Sequence, residues 1–227
     1  MKNLIYKEWK LNIHPLSVIF ATVFAVFIAI PGNPHFLSFI YVTFAYSLIF
    51  VGGTKGVDNN DLYYTATLPI RRVDIVRART LSLVSLQLMN ILASIPFAIL
   101  YFVFFKSAPG SEEALGYISA GIEPNISLYA MALIYFTLVD LIFLPWYYKN
   151  INKIIVPYMT ATFSSMIVFA IFSSVLPMIF PLYYELFNEP NNLFFQFIFL
   201  ALSVIIYIGG HFLIVYLSKR NFAKADI

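Results

Sequence analysis

Few side chains in this sequence could do chemistry, and most of these lie within apolar stretches. Asp140 is the single acid inside a long apolar run, and the three histidines are His14, His35 and His211. One isolated carboxylate is a poor site for coupling transport to an ion, because ion-coupled carriers depend on intramembrane ionisable groups. We expect Asp140 to pair with a basic residue of the N-terminal segment or of the 55–79 segment. We expect His211 to be a buried, hydrogen-bonded packing residue.

The motifs of several enzyme classes are missing from the sequence. There is no cysteine, which excludes thiol chemistry, disulfides and Cys-ligated metals. No histidine belongs to an H-E-x-x-H zinc motif, and no glycine-flanked serine forms a nucleophile elbow. A G-x-x-x-x-G-K-[ST] loop is also absent, so the chain is not expected to hydrolyse nucleotide itself. An intramembrane protease or lipid-modifying enzyme is therefore the least favoured class, and no bound cofactor or metal is expected.

The composition defines the kind of environment in which these residues lie. Of 227 residues, 61% are hydrophobic and only 11% are charged, against roughly 25% charged in a soluble domain. A soluble protein of this composition would expose a large apolar surface. The 24 Phe and 16 Tyr residues exclude a disordered chain. The sequence therefore predicts an integral membrane protein.

Six apolar stretches are long enough to be considered as membrane-spanning helices, which need about 20 residues each. They do not alternate as barrel strands would. The predicted fold is an all-α, polytopic transmembrane domain that occupies residues 1–227. Its six predicted spans cover about 16–30, 35–52, 81–105, 126–148, 154–176 and 193–217.

The distribution of basic residues predicts the orientation of these spans. With both termini in the cytoplasm, 13 of the 14 Lys and Arg residues fall on the inner side, and only Lys106 falls outside. This partition follows the positive-inside rule. The first span is read as a retained helix of the cell membrane and not as a cleaved signal peptide. The basic excess is then a topology signal, and no nucleic-acid partner is expected.

The segment before the first span has an amphipathic pattern. One apolar helical face is formed by Leu4, Ile5, Trp9 and Ile13. Glu8 and its charged neighbours point away from that face. The pattern predicts a short N-terminal helix lying in the inner interface of the membrane, with a simple extension of the first span as the alternative.

The fifth span is followed by an apolar stretch that contains Pro177 and Pro181. The whole stretch from residue 154 is too long for one straight crossing of about 30 Å. We expect the helix to end near Pro177 and to be followed by an outer re-entrant or interfacial element at 177–187. One tilted, proline-kinked helix is the alternative.

The longest inner segment, residues 58–79, connects spans two and three. Apolar residues recur in it at helical spacing after a turn-prone start, and Pro69 closes that element because proline is disfavoured inside a helix. A new helix is expected from Arg72, with Asp74 in its first turn where the helix dipole favours an acid. This helix should continue without a break into the third span. Basic residues that only set topology or bind anionic lipid are the alternative explanation of the charges.

Residues 68–79 read Leu-Pro-Ile-Arg-Arg-Val-Asp-Ile-Val-Arg-Ala-Arg. This segment resembles the leucine-proline-aliphatic, basic, acidic, isoleucine-valine, small, basic segment of ABC-2 type permeases, the membrane subunits of type V ABC exporters. The chain is similar to that family also in length, six-span topology and N-terminal helix. Arg71 stands where the family often has a small hydroxyl cap. The resemblance implies a cytoplasmic coupling helix that docks on an ATPase subunit, with the docking candidates Asp61, Leu62, Tyr64, Thr65, Leu68, Arg71, Arg72 and Asp74.

The resemblance also implies the function and the partners. The chain would be the permease subunit of an ATP-driven exporter, similar to those for phenol-soluble modulins or bacteriocins, and would move amphipathic peptides or lipophilic substrates outward. Two ATPase subunits would bind ATP and Mg²⁺, and a second permease, identical or different, would complete a dimer. The alternatives are the small substrate-binding component of an ATPase-linked importer, or an ion-coupled carrier. Candidates for the translocation path in spans two and five are Phe44, Tyr46, Phe163, Phe169 and Phe172.

Overall fold

The fold was analysed in a computed structural model. The structure describes residues 2–31, 33–50, 65, 70–106, 121–151 and 153–224. All regular elements among these residues are helical. The all-α prediction is therefore confirmed for this part of the chain.

The N-terminal part is a sharply bent pair of helical segments. Helix α1 covers Lys2–Lys7 and continues as a π-helical turn over Glu8–Asn12. Helix α2, Pro15–Thr22, begins after His14, whose Nδ1 accepts a hydrogen bond from the amide of Leu16 at 3.1 Å. It continues as a 3₁₀ helix over Val23–Ala29. The two arms meet at 91°, because the extended backbone of Ile13 and His14 separates them.

Two further helices are described in full in the first half of the chain. Helix α3 covers Leu37–Phe50, and the long helix α4 covers Arg72–Leu100 and continues as a π-helical segment over Tyr101–Lys106. As predicted, α4 begins at Arg72, has Asp74 in its first turn and runs into the apolar stretch without a break. Arg71 occupies the N-cap position but makes no capping bond with its side chain.

The second half contains the central helix and its neighbours. Helix α5 covers Ile126–Lys149 and is capped by Asn125, whose side chain accepts from the amides of Ser127 and Leu128. Helix α6, Ile155–Ala170, passes through a π-helical turn at Ile171–Val175 into α7, Leu176–Ile179. The short helix α8 covers Pro181–Asn188, and a 3₁₀ turn at Pro190–Asn192 leads into α9, Leu193–Ala223.

Four described helices are long and apolar enough to cross a membrane. They are Arg72–Phe104, Ile126–Lys149, Ile155–Ile179 and Pro190–Ala223; the bent pair Lys2–Asn12 and Pro15–Ala29 raises the number to five if it forms one span. Helix α3 has 14 residues, which is shorter than a full crossing. The chain is a membrane protein with several such helices, and six spans stay a prediction.

Helix α5 forms the centre of the described helices. Two thirds of its most apolar window, 67%, is buried, against 17% for α9. Helix α5 packs against α6 on one side and α9 on another, and α4 packs against α2, α3 and α9. A helix that is apolar all round suits a central position, whereas the exposed apolar face of α9 suits contact with lipid.

Candidate functional site

A buried polar cluster lies where four helices meet. Asp140 of α5 is fully buried. Its Oδ1 accepts a hydrogen bond from the Tyr46 hydroxyl of α3 at 2.8 Å, and its Oδ2 accepts one from Nε2 of Gln87 of α4 at 2.9 Å. Nε2 of His211 of α9 lies 3.1 Å from the same Oδ2. The Tyr207 hydroxyl donates to Oε1 of Gln87 and closes the cluster.

The contact made by Nδ1, the other ring nitrogen of His211, limits the positions that protons can occupy in this cluster. Nδ1 of His211 lies 2.7 Å from the carbonyl oxygen of Tyr207, and a carbonyl can only accept, so Nδ1 carries a proton. The Nε2 contact with Asp140 then needs one more proton, either on Nε2 or on the carboxyl group. Both arrangements have zero net charge. The arrangement can therefore hold a proton between two helices without an uncompensated charge in the apolar interior.

Close packing of α5 against α9 brings the two members of this pair together. Gly210 precedes His211, and a Cβ at Gly210 would lie 2.3 Å from Cγ2 of Thr137, one turn before Asp140. Only a residue without a side chain allows this approach. Gly209 has nothing within 4 Å of such a Cβ. Of the two adjacent glycines, it is therefore Gly210 that allows the close packing of α9 against α5.

The partner of Asp140 differs from the expected one. Among the described residues, the carboxylate contacts His211 and two neutral polar side chains, and no described Lys or Arg of the N-terminal or 55–79 segments. The reason is distance along the helix, because Asp140 lies well inside α5 whereas those bases flank the inner helix ends. His211 is hydrogen-bonded as predicted, but it also contacts the Asp140 carboxyl group and is not only a packing residue.

A second buried charged cluster lies near the N-terminus of α4. Arg79 donates through Nε to Oε2 of Glu8 at 3.0 Å and through Nη2 to Oε1 at 3.4 Å. Its Nη1 donates to the Tyr147 hydroxyl at 3.1 Å, and Asn12 donates to Oε2 of Glu8 at 2.7 Å. The guanidinium lies 5.6 Å from the ring centroid of Phe50. This cluster joins the bent N-terminal segment to α3, α4 and α5.

Glu8 does not lie on an outward-facing charged side of α1 as the helical pattern predicted. Its side chain is only 5% exposed, and that of Arg79 is 7% exposed. The pattern could not show this, because an acid in an amphipathic segment is normally solvated and only a distant arginine makes burial favourable. Ile13 is buried in the protein core and Trp9 is half-buried against it, whereas the pattern predicted that this face lies in the membrane interface.

The predicted docking residues fall into two groups. Asp61, Leu62, Tyr64 and Leu68 lie outside the described residues. Thr65 is 2% exposed, and its hydroxyl accepts from Nζ of Lys7, so it faces the protein. Nη1 of Arg72 donates to the carbonyl of Phe222 at 3.1 Å.

The remaining two docking candidates lie at the start of α4. The Arg71 side chain is 89% exposed and only 3.7 Å from Asp74 in a surface pair. Asp74 also lies 3.9 Å from Arg77. Arg71 is therefore the described docking candidate that is most open to a partner.

The predicted path residues do not line one common surface. Tyr46 belongs to the Asp140 cluster, and Phe169 is buried in a stack on Tyr135 with 4.8 Å between ring centroids. The other three path candidates are each about half exposed; they are Phe44, Phe163 and Phe172.

Phe169 and Phe172 do line an apolar cavity of about 300 Å³. Its other walls come from α5, α8 and α9, with Tyr135, Tyr183 and Phe199 among the lining side chains. Burial raises the pKa of Tyr183 to about 12, so the phenol stays neutral at physiological pH. The cavity can therefore accept apolar groups.

The outer end of α6 and α7 continues past the predicted boundary. Pro177 lies within the helical run, and the break falls at Phe180, whose backbone is extended before Pro181. Pro177 has no N–H that could donate to the carbonyl of Ser173, four residues earlier. That carbonyl instead accepts a hydrogen bond from the amide of Ile122 at 2.7 Å. The helix end predicted near Pro177 falls two residues later, at Ile179, because the freed carbonyl is satisfied from another segment. A separate short helix does follow, as α8.

Gly121 makes this contact possible. Its φ is +121°, and a Cβ there would lie 2.2 Å from the Ser173 carbonyl oxygen. Asn188, at the end of α8, accepts from the Glu123 amide at 2.9 Å. The segment before α5 is thereby held between α6 and α8.

Sequence reasoning missed Gln87 and the Glu8–Arg79 pair. One signal was present, because Gln87, Asp140 and His211 are isolated polar residues in three apolar stretches, and such residues pair inside a membrane protein. No comparable pattern identified Glu8, whose partner lies 71 positions away. Among the described residues, no group of three or more His, Asp and Glu is placed to hold a metal ion.

The fold and the two clusters define an all-α membrane protein with buried charge pairs. Comparisons of this chain with protein-family models, curated proteins and solved structures gave no match.

Proposed function

We propose that this chain is the membrane permease subunit of an ATP-driven exporter of the ABC-2 type. The support comes from the 68–79 segment, the inner location of its basic residues, and the manner in which the start of α4 is fastened to the N-terminal segment. In this proposal ATP and Mg²⁺ bind two partner ATPase subunits, and a second permease completes the dimer. The protein lies in the cell membrane, and both of its termini are in the cytoplasm.

The single observation that carries the proposal is the buried Glu8–Arg79 pair. It joins a segment bent by 91° from α2 to the helix α4, whose first residues belong to the proposed docking segment. Lys7 of the same segment also donates to Thr65. A force on residues 58–79 would therefore move α1 and α4 together, and Tyr147 would transmit it to α5. This is the connection that a transport subunit driven from its inner face needs.

The six-span topology belongs to the same proposal. Helix α2 and its 3₁₀ extension rise about 26 Å, from eight α-helical and seven 3₁₀ residues. This is near the hydrocarbon thickness of about 30 Å. The 14 residues of α3 rise about 21 Å. These two segments would form the first and second spans, with the described long helices as the other four.

The proposed cargo is an amphipathic peptide or a lipophilic molecule. The apolar cavity of about 300 Å³ between α5, α6, α8 and α9 supports this class, because its aromatic walls suit apolar side chains. Phe169 and Phe172 would contact the cargo there. Tyr46 would act in the Asp140 cluster and not on the path.

A charge reversal at Arg71 tests the proposal. Arg71→Glu should abolish co-purification of the ATPase and lower substrate-stimulated ATP hydrolysis in reconstituted vesicles, because Arg71 is an exposed residue of the proposed docking segment. The matched control is Lys153→Glu, a charge reversal at an exposed position outside that segment. It should retain both the co-purified ATPase and the stimulated ATP hydrolysis. Equal ATP hydrolysis by wild type and Arg71→Glu would count against docking at this point. A native membrane preparation that yields no ATPase with this chain would reject the proposed function.

The topology can be tested directly because the chain has no cysteine. Single cysteines at Asn33 and Lys153 should react with an impermeant maleimide from opposite sides of the membrane. Reaction of both from the same side would show that the α2–α3 pair does not cross, and would reject the six-span arrangement.

An ion-coupled carrier is the second candidate, and the Asp140–His211 pair favours it. A pair that can hold a proton between two helices is a minimal proton-binding site. For a carrier, Asp140→Asn should abolish transport driven by a pH gradient in vesicles that contain this chain alone. Transport that requires an ATPase and survives Asp140→Asn would decide for the exporter.

A further inference from the structure

A groove between α4 and α9 combines basic and apolar walls. Its volume is about 490 Å³, and its lining includes Arg77 and Leu81 from α4 with His211, Phe212 and Lys219 from α9. No acidic side chain of the described residues lines it. We propose that this groove binds one anionic phospholipid, with the phosphate at Arg77 and Lys219 and an acyl chain along the apolar wall.

Two interhelical contacts set the antiparallel register of the groove. At the inner end Arg72 donates to the Phe222 carbonyl, and deeper in the membrane Gln87 accepts from Tyr207. Arg72 and Gln87 are 15 residues apart on α4, and their partners Phe222 and Tyr207 are also 15 residues apart on α9. Arg77 and Lys219 therefore lie at the same end, near the helix termini and close to each other in depth.

The free charge at this end suits an anionic head group. Among the described residues, the ion-pair contact of Arg77 is the one with Asp74 at 3.9 Å, and its side chain is 55% exposed. Lys219 is exposed and makes no ion pair with any described residue. Basic pockets between membrane helices on the inner side bind anionic lipid head groups.

The length of the apolar wall suits an acyl chain. Lining residues of α9 run from Lys219 to Tyr207, which corresponds to about 18 Å of helix. One leaflet of the hydrocarbon core is about 15 Å thick, half of the full thickness. The wall is also open sideways, since Phe212 is 75% and Ile208 53% exposed. A lipid tail can thus enter from the bilayer without opening the helices.

A second copy of this chain suits the groove less well. Two copies related by a twofold axis through this face would bring Arg77 and Lys219 towards the same bases of the partner. Like charges in a partly apolar interface are unfavourable. A phospholipid provides the opposite charge and the apolar tail in one molecule.

The test is lipid retention by the intact chain. The protein is purified from nanodiscs that contain equal amounts of phosphatidylglycerol and phosphatidylcholine, and bound lipid is counted by native mass spectrometry. Wild type should retain one phosphatidylglycerol. Arg77→Gln with Lys219→Gln should lower its retention about tenfold or more, from the loss of two interfacial bases. The control Lys149→Gln with Lys153→Gln, two exposed bases of another inner loop, should retain it.

A variant of the apolar wall and a salt series complete the test. Val84→Trp should lower retention with both bases intact, because the new ring occupies the tail position. Retention by wild type should fall with rising salt. Equal retention of both lipids, equal loss in the control pair, competition by inorganic phosphate alone, or a second copy cross-linked in the groove would each overturn the proposal. Because the salt series uses only the wild-type protein, it tests the proposed lipid binding even if a variant does not fold.

Discussion

Two buried pairs of an acidic and a basic side chain join helices of this molecule, and they differ in kind. Glu8–Arg79 lies near the start of α4 and joins the N-terminal segment to the helices through a two-point contact. Asp140–His211 lies inside the helix bundle and joins α5 to α9 through one contact at 3.1 Å. Arginine remains charged at any physiological pH, whereas histidine can give up its proton. The first pair is therefore permanently ionic, and the second can become neutral in place.

The difference teaches how a charge is tolerated in an apolar interior. A permanently ionic pair depends on both members, because either one alone is a buried charge. A pair with histidine can adjust its protonation when its partner changes. We therefore expect unequal responses to equivalent substitutions.

The largest effect is expected from Arg79→Met. Among the described residues, Glu8 would keep Asn12 as its side-chain donor, and a buried charge without its partner costs about 3–5 kcal/mol of the free energy of unfolding. Thermal unfolding in detergent measures the loss. The double variant Glu8→Gln with Arg79→Met should recover most of it. Arg77→Met, at a mostly exposed position of the same helix, is the control and should lose less than about 0.5 kcal/mol.

The second-largest effect on stability is expected from a change at the α5–α9 contact that brings Asp140 to His211. Gly210→Ala places a methyl group 2.3 Å from Cγ2 of Thr137, and such overpacking costs about 1–3 kcal/mol. Gly209→Ala has open space and should be tolerated. Thr137→Ser removes the clashing methyl, keeps the hydroxyl that donates to Leu133, and should rescue Gly210→Ala. A variant Gly209→Ala as unstable as Gly210→Ala would contradict this packing.

A smaller effect is expected from Asp140→Asn. His211 would become neutral with its proton on Nδ1, and Nε2 could accept from the new amide. The free energy of unfolding should fall by about 1 kcal/mol, the value of one hydrogen bond. A loss as large as that of Arg79→Met would show that both pairs are permanently ionic. Nuclear magnetic resonance of the labelled imidazole would report the change in its protonation.

The smallest effect on stability is expected from Arg71→Glu. Its side chain is 89% exposed and its pair with Asp74 is a surface contact, so the free energy of unfolding should change by less than about 0.5 kcal/mol. A large loss would mean that Arg71 supports the fold. Its use as a probe of ATPase docking depends on this result.

Much of the helical architecture follows from the sequence. The start of α4 at Arg72, the starts of α5 and α9 at Ile126 and Leu193, and the separate helix after the fifth apolar stretch all agree with local signals. Apolar length, caps and prolines act within a few residues, so one chain read in order is enough to find them. The 91° bend and the π-helical turns were not foreseen, because packing partners stabilise them.

The sequence by itself determined that this is a helical membrane protein, since so few charges cannot cover so apolar a chain in water. It also marked Asp140 and His211 as isolated polar residues in apolar helices. Only the tertiary structure decided their partners. A buried charge binds the complementary group that the helix crossing brings within hydrogen-bond distance, and the crossings of α5 with α9 and of the N-terminal segment with α4 depend on contacts 71 residues apart. Sequence spacing carries no information over that range.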